Sequence, residues 1–181
     1  MLPLPIRINT SAYAGIGSRS TPPTILELIS NIATLLARCE LTLRSGGASG
    51  ADCAFEQGCD RAHGRKEIFL PWKGFNRNAS PCCEPTGHAF EIASTIHPNW
   101  NRCNPTARRF HARNCHQILG SDLRHPVDFV LFWAPEKDGR VDGGTATAVH
   151  LARERNIPTF NLWIPEIHVH WIDLEKRQRE V

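Results

Sequence analysis

Apolar positions along the chain fall into two rhythms. Short runs of β-branched and aromatic residues, as in a buried parallel strand, alternate with longer stretches that repeat at helical spacing. Ala12 to Ile16 predicts a first strand. Thr21 then caps a helix with Pro22 and Pro23 in its first turn, and Ile25, Leu28, Ile29, Ile32, Leu35 and Leu36 form its inner stripe through Arg38. Leu41 to Arg44 predicts a second strand, Ser45 to Gly50 a glycine-rich turn, and Ala51 to Ala62 a helix that turns Ala54, Phe55 and Cys59 inward. Lys66 to Pro71 predicts a third strand. After a break, Thr106 to Leu119 predicts a helix with Phe110, Cys115, Ile118 and Leu119 facing in and Arg108, Arg109, His111, Arg113, Asn114 and His116 on its other sides. Pro126 to Trp133 is a fourth strand, Ala148 to Arg155 a helix, Ile157 to Leu162 a fifth strand, and the charged tail Trp163 to Val181 ends in a short helix. The β-α-β-α-β order of the first half implies parallel pairing. The expected fold is therefore α/β and Rossmann-like, a parallel β-sheet with helices on both faces, in a single domain with a loop-rich insertion.

The insertion is Trp72 to Pro105, rich in glycine, proline and asparagine, with adjacent Cys82 and Cys83 and a weak helical patch at His88 to Ser94. It reads as a surface excursion from the sheet edge that carries the glycine turns, either a lid over a ligand or a plain insertion. The core is expected over about residues 12–162, with residues 163–181 as a tail that covers an edge or contacts a second subunit.

Candidate chemistry lies where strands end in glycine. Asp142-Gly143-Gly144-Thr145-Ala146-Thr147 joins the fourth strand to a helix. Glycines let a ligand approach the backbone, the helix start offers unpaired N–H groups and partial positive charge, and Thr145 and Thr147 add hydroxyls. The plainer alternative is a tight turn with Thr145 as N-cap. Ser45-Gly46-Gly47-Ala48-Ser49-Gly50 repeats the device, and Gly15-Ile16-Gly17-Ser18-Arg19 ends the first strand in another glycine turn. Turns at the carboxyl ends of parallel strands converge along one edge, where open α/β folds bind ligands. A nucleotide or nucleic-acid phosphate suits them, and Arg113, followed by Asn114, is the candidate clamp because a guanidinium meets phosphate bidentately.

Bulk properties add bounds. The chain has 181 residues, 41% hydrophobic and 22% charged, ordinary for a globular protein, and its formal net charge of +3 neither requires nor excludes nucleic acid. No stretch reaches the roughly 18 apolar residues of a membrane span, so no membrane partner is expected. Seven scattered cysteines without an export signal read as reduced thiols in a cytoplasmic setting. Cys103, His111, Cys115 and His116 lie close in sequence, but without a CxxC or HExxH arrangement no metal is expected. No GxSxG elbow marks a nucleophile, and Gly15-Ile16-Gly17 lacks the third glycine of a dinucleotide fingerprint, so no cofactor is expected either. Phe132 and Trp133 read as core residues or as a stacking surface for a base.

Taken together, Gly15 to Arg19, Ser45 to Asp52, Arg113-Asn114 and Gly143 to Ala148 resemble the SLOG superfamily, the Rossmann-like group that joins the DNA-processing protein DprA (Smf) to the LOG phosphoribohydrolases. The resemblance spans roughly Ala12 to Leu162 and is nearest to small DprA-like proteins of phages and bacteria. It implies a nucleotide or nucleic-acid phosphate at the glycine turns and, by its DprA branch, single-stranded DNA and a role in DNA processing or recombination. Trp72, Trp100, Arg102, Arg108 and Arg109 would then supply stacking and charge. The LOG branch implies cleavage of nucleoside 5′-monophosphates at the N-glycosidic bond. Against that branch's pattern Arg113 matches the catalytic arginine, whereas Asn114 replaces a lysine, Asp142 a proline, Ala146 a glycine and His150 the catalytic glutamate. Asp52 and Glu56, at i and i+4 beside a glycine turn, are the candidate replacement carboxylates. Sequestration of a signalling nucleotide without turnover uses the same residues. A homodimer is expected.

Overall fold

The computed structural model describes residues 12–179, with side chains through Asp173. The expected lead-in, Met1 to Ser11, lies outside the described residues. Five strands form one parallel sheet in the order β3-β2-β1-β4-β7: β1 (Ala12–Gly17), β2 (Thr42–Ser45), β3 (Lys66–Ile68), β4 (Phe129–Trp133) and β7 (Thr159–Asn161). The central β1 pairs along its length with β4, from Tyr13 opposite Phe129 to Gly17 opposite Trp133. Both strands are apolar throughout because both faces of the sheet are covered.

On one face, α1 (Pro23–Arg38) and α2 (Ala51–Arg61) pack over Tyr13, Leu43, Phe129 and Leu131. Gly15 points to the same side, where an added Cβ would stand 2.6 Å from the Phe55 ring; the glycine admits that aromatic against the strand. On the other face, α3 (Gly87–Ile96), α4 (Pro105–Leu119) and α5 (Ala146–Glu154) bury Ala14, Ile16, Val130 and Phe132. Helices on both faces of one parallel sheet make the fold α/β and Rossmann-like, as expected. Strand order reverses between β1 and β4, which sets the topological switch point at their carboxyl ends.

Three elements depart from the sequence expectation. The insertion carries a full helix, α3, capped by Thr86, whose hydroxyl accepts from the Ala89 N–H at 3.3 Å. Its inner stripe is Ala89, Ala93 and Ile96, too small a set of apolar side chains to stand out among the polar residues around it. A hairpin of β5 (Glu136–Lys137) and β6 (Arg140–Val141) follows β4, turning through Asp138 and Gly139, both at positive φ. This Asp-Gly pair is a hairpin signal that the sequence reading passed over. The tail is a 15-residue helix, α6 (Pro165–Arg179), whose Trp171 is buried against Phe129 and Phe160. No described helix is long and apolar enough to cross a membrane.

Candidate phosphate-binding site

The turns after β1, β2 and β4 meet through α4, and the contacts run in one chain. The Gly17 N–H donates to Asp52 Oδ1 at 3.1 Å, which ties the end of β1 to the first turn of α2. The other Asp52 oxygen accepts from the Ala48 N–H at 3.4 Å and from Arg113 Nη1, also at 3.4 Å. With its side-chain oxygen turned toward the arginine, the orientation that satisfies every neighbour, Gln117 accepts from Arg113 Nη1 at 2.7 Å and the Gly46 N–H at 3.0 Å and donates to Asn114 Oδ1 at 3.0 Å. Asn114 Nδ2 then donates to the Gly144 carbonyl at 2.7 Å. Gly17, Asp52, Arg113, Gln117, Asn114 and Gly144 thus fix three turns to one helix.

This corrects the reading of α4, which set Arg113, Asn114 and His116 on outward sides. All three are 5% exposed. The outer side of α4 is itself covered. Trp72 and Phe75 from the insertion pack edge-on against Phe110, with ring centres 5.4 and 5.5 Å away, and Phe110 lies under the Arg113 guanidinium. Phe69 stacks on His116, whose ring bonds the Gly120 carbonyl and Thr86. Phe110 is accordingly half-buried between α4 and the insertion rather than facing the sheet.

Electrostatics follow from that enclosure. Burial pushes the Asp52 carboxyl above its ordinary value, although Arg113 and the Gly17 and Ala48 N–H groups pull it back. Burial likewise lowers Arg113, with Asp52 opposing. Arg113 keeps its charge beside Asp52, because a guanidinium does not release its proton in a protein. Asp52 occupies the first turn of α2, where an external anion would otherwise be stabilised by the helix dipole. Glu56, one turn further on, faces another way, and its oxygens meet Lys66 Nζ at 2.9 Å and Asn78 Nδ2 at 3.0 Å.

The glycines divide by what stands over them. An added Cβ at Gly17 would meet the Trp133 carbonyl at 2.6 Å, at Gly50 the Ser18 carbonyl at 2.6 Å, at Gly47 the Leu70 side chain at 2.9 Å, and at Gly46 it would overlap the Arg113 guanidinium. These four, like Gly15, serve close approach within the protein. Among the described residues nothing stands within 4 Å of a Cβ added at Gly143 or Gly144, and both are exposed. They form a short 3-10 turn with Thr145 ahead of α5, and neither Asp142 nor Thr145 caps the helix through its side chain. The Gly143 and Gly144 N–H groups precede the first hydrogen bond of this turn, whereas the Ala146 N–H donates to the Gly143 carbonyl.

Ser18 and Arg19 leave the neighbouring strand at the same edge, fixed by the Ser18 N–H to the Trp133 carbonyl at 2.9 Å. Arg19 is exposed, Ser18 is half-buried, and the Ser18 hydroxyl bonds that of Ser20 at 2.8 Å. Ser45 is buried and donates to the Gly15 carbonyl at 2.6 Å. Thr147 points back to α4, where its hydroxyl meets His111 Nδ1 at 2.8 Å. Burial first, and then His97 and Arg113, push His111 down to about 4, so its imidazole is neutral at pH 7. His150 stands at the outer side of α5, exposed and 3.5 Å from Glu154. Phe132 is core, and Trp133, 5% exposed, packs edge-on against Trp163.

Two surface grooves lie beside the turns rather than at them. One, of about 440 Å³, is lined by Phe90, Glu91, Ser94, Trp100, Arg108 and Arg109, with Arg108 held 5.2 Å over the Trp100 ring. The other, of about 460 Å³, contains Glu56, Lys66 and Asn78. Of the histidines and cysteines, Cys115 and His116 turn away from His111. Instead His97, which sequence proximity did not single out, comes together with Cys103 and His111.

No protein-family model matches the chain, and no curated protein matches it by sequence. Solved structures do match in shape. DNA processing protein A from Helicobacter pylori, described for its single-stranded DNA binding mode, is 19% identical with a TM-score of 0.56, covering 83% of this chain and 64% of its own. The molybdenum cofactor carrier protein of Chlamydomonas reinhardtii is 16% identical with a TM-score of 0.54, covering 92% of this chain and 85% of its own. The chain therefore has the Rossmann-like fold of DNA processing protein A and the cofactor carrier, consistent with the SLOG resemblance of its glycine motifs.

Proposed function

We propose that the protein binds a nucleotide or nucleic-acid phosphate at the turn Gly143-Gly144-Thr145, with Ser18 and Arg19 as partners from the β1 end. The observation that carries this reading is the open turn itself: the first N–H groups of the turn, with no side-chain cap, at the switch point of a parallel sheet, under glycines that no described residue covers. In this reading Asp52, Arg113 and Asn114 hold the turns in place from beneath. Gly15, Gly17, Ser45, Gly46, Gly47 and Gly50 allow the close packing that brings the turns together.

Binding without hydrolysis is favoured because Asp52 accepts from three donors and Glu56 is engaged by Lys66 and Asn78. A role with single-stranded DNA is supported by the groove at Trp100, Arg108 and Arg109, the two arginines lying within one turn of α4 from His111, which bonds Thr147. It is supported further by the fold shared with a DNA-binding protein.

The test is titration with nucleoside mono-, di- and cyclic phosphates and with a labelled single-stranded oligonucleotide, comparing wild type with Gly144→Asp. The substitution sets a carboxylate in open space at a position of ordinary φ, so folding is retained and affinity falls at least about tenfold by anion repulsion. Wild-type affinity in Gly144→Asp, or no binding of either ligand class, refutes the reading. Release of free base from a monophosphate would favour the phosphoribohydrolase instead.

A further inference from the structure

We propose that His97, Cys103 and His111 form a binding site for one zinc ion, with three protein ligands and a fourth position open to solvent. The residues come from three places: the C-terminal end of α3, the end of the 3-10 turn Trp100–Arg102, and the second turn of α4. One nitrogen from each imidazole and the thiol sulfur all lie within 4.8 Å of one another. Zinc bonds of about 2.0–2.1 Å to nitrogen and about 2.3 Å to sulfur place tetrahedral nitrogen and sulfur ligands roughly 3.6 Å apart. Cys103 Sγ stands 3.7 Å from His97 Nδ1 and 3.9 Å from Nε2, so a small contraction around an ion completes that edge.

The surroundings suit a metal in two further respects. His111 Nδ1 is engaged by the Thr147 hydroxyl at 2.8 Å, which leaves Nε2 for the ion and fixes the ring in the way a metal-bound histidine is oriented by its outer partner. Cys103 is a free, partly exposed cysteine, and thiolate with imidazole is a donor set that selects zinc over calcium or magnesium. Ligation through His97 Nδ1 displaces one contact, the 3.2 Å donation from the Asn99 N–H, and Asn99 is exposed so that water replaces it. The ion would pin the end of the insertion to α4.

The test uses protein freed of metal under reducing conditions and titrated with cobalt(II), then with zinc in competition against a chromophoric chelator, with no nucleotide present. Its outcome is therefore independent of the phosphate site. The expected result is one equivalent of cobalt with a thiolate charge-transfer band and the visible absorption of a tetrahedral ion, displaced by one equivalent of zinc. Cys103→Ser and His97→Ala should abolish the band, Cys82→Ser and Cys83→Ser should keep it, and Thr147→Val should weaken affinity about 10–100-fold as an outer-partner loss does. Circular dichroism of each variant separates loss of ligation from loss of fold. A missing band in the wild type, a band that persists in Cys103→Ser, or one that depends on Cys82 or Cys83 would overturn the assignment.

Discussion

Neutralising either half of the Asp52–Arg113 pair should destabilise the protein, but with opposite responses to pH. The two side chains are 4% and 6% exposed and meet at 3.4 Å. Removing one partner from a buried pair costs about 3–5 kcal/mol because the other charge is stranded. Asp52 has a way out that Arg113 lacks. In Arg113→Met the carboxyl, already raised by burial, loses its cation and rises further, so it takes up a proton instead of remaining charged. Holding a carboxyl neutral at pH 7 costs about 4 kcal/mol, the distance of roughly three pH units from its unfolded value at about 1.36 kcal/mol each. At pH 5 the same step costs only about 1.5 kcal/mol.

The sign follows from proton counts. Native Arg113→Met binds more protons than its unfolded chain, so its stability falls as pH rises from the ordinary carboxylate range to the raised native value. Asp52→Asn leaves a buried guanidinium that cannot deprotonate, so its loss of about 3–5 kcal/mol should be nearly flat from pH 5 to 7. Urea unfolding of wild type, both single variants and the double variant at pH 5, 6 and 7 measures this. The Arg113→Met deficit should shrink by about 2 kcal/mol or more at pH 5, while the double variant loses less than the sum of the singles. A deficit for Arg113→Met that does not change with pH, or single-variant losses below about 1 kcal/mol, would refute the picture of a dry, charged pair.

Three further outcomes are expected. Gly46→Ala should cost about 3 kcal/mol or more, because its Cβ overlaps Arg113, whereas Gly144→Ala should stay within about 0.5 kcal/mol; thermal or urea melts compare them. Trp171→Ala should cost about 3–5 kcal/mol, while Trp171→Phe costs less than about 1.5 kcal/mol because the indole N–H it removes is buried without an acceptor among the described residues. A small loss for Trp171→Ala would mean that α6 is not part of the core. Gly139→Ala, at φ +75° in the hairpin turn with nothing near it, should lower stability by about 1 kcal/mol through backbone strain alone, measured by the same melts.

The sheet and its two faces were legible because fully buried strands leave unbroken apolar runs, Phe129 to Trp133 being the plainest. α3 showed only as the weak helical patch at His88 to Ser94, because the side chains that seat it are two alanines and one isoleucine. With α3 so faint, nothing in the sequence signals that the insertion packs over the outer side of α4. Arg113, Asn114 and His116 then read as lying on the outer sides of α4, with Arg113 and Asn114 as a clamp, although each is enclosed. The same gap concealed the meeting of His97 with Cys103 and His111, since it depends on where α3 ends.

Glycine raises a deeper difficulty. A glycine at the end of a strand reports that something approaches the backbone closely, but it does not say whether that something is the protein or a ligand. Here Phe55 takes up the approach at Gly15, Arg113 at Gly46 and the Ser18 carbonyl at Gly50. Three similar turns in the sequence therefore become, in the fold, two that are filled from within and one that is open. The internal carboxylate of Asp52 accounts for the difference, since it sits at the start of α2 and takes the N–H groups of Gly17 and Ala48 that an outside anion would use. Neither Asp142 nor Thr145 caps α5 or the turn before it in the same way, and that is why Gly143 to Thr145, rather than the more glycine-rich Ser45 to Gly50, is the turn left open and the one proposed for a phosphate.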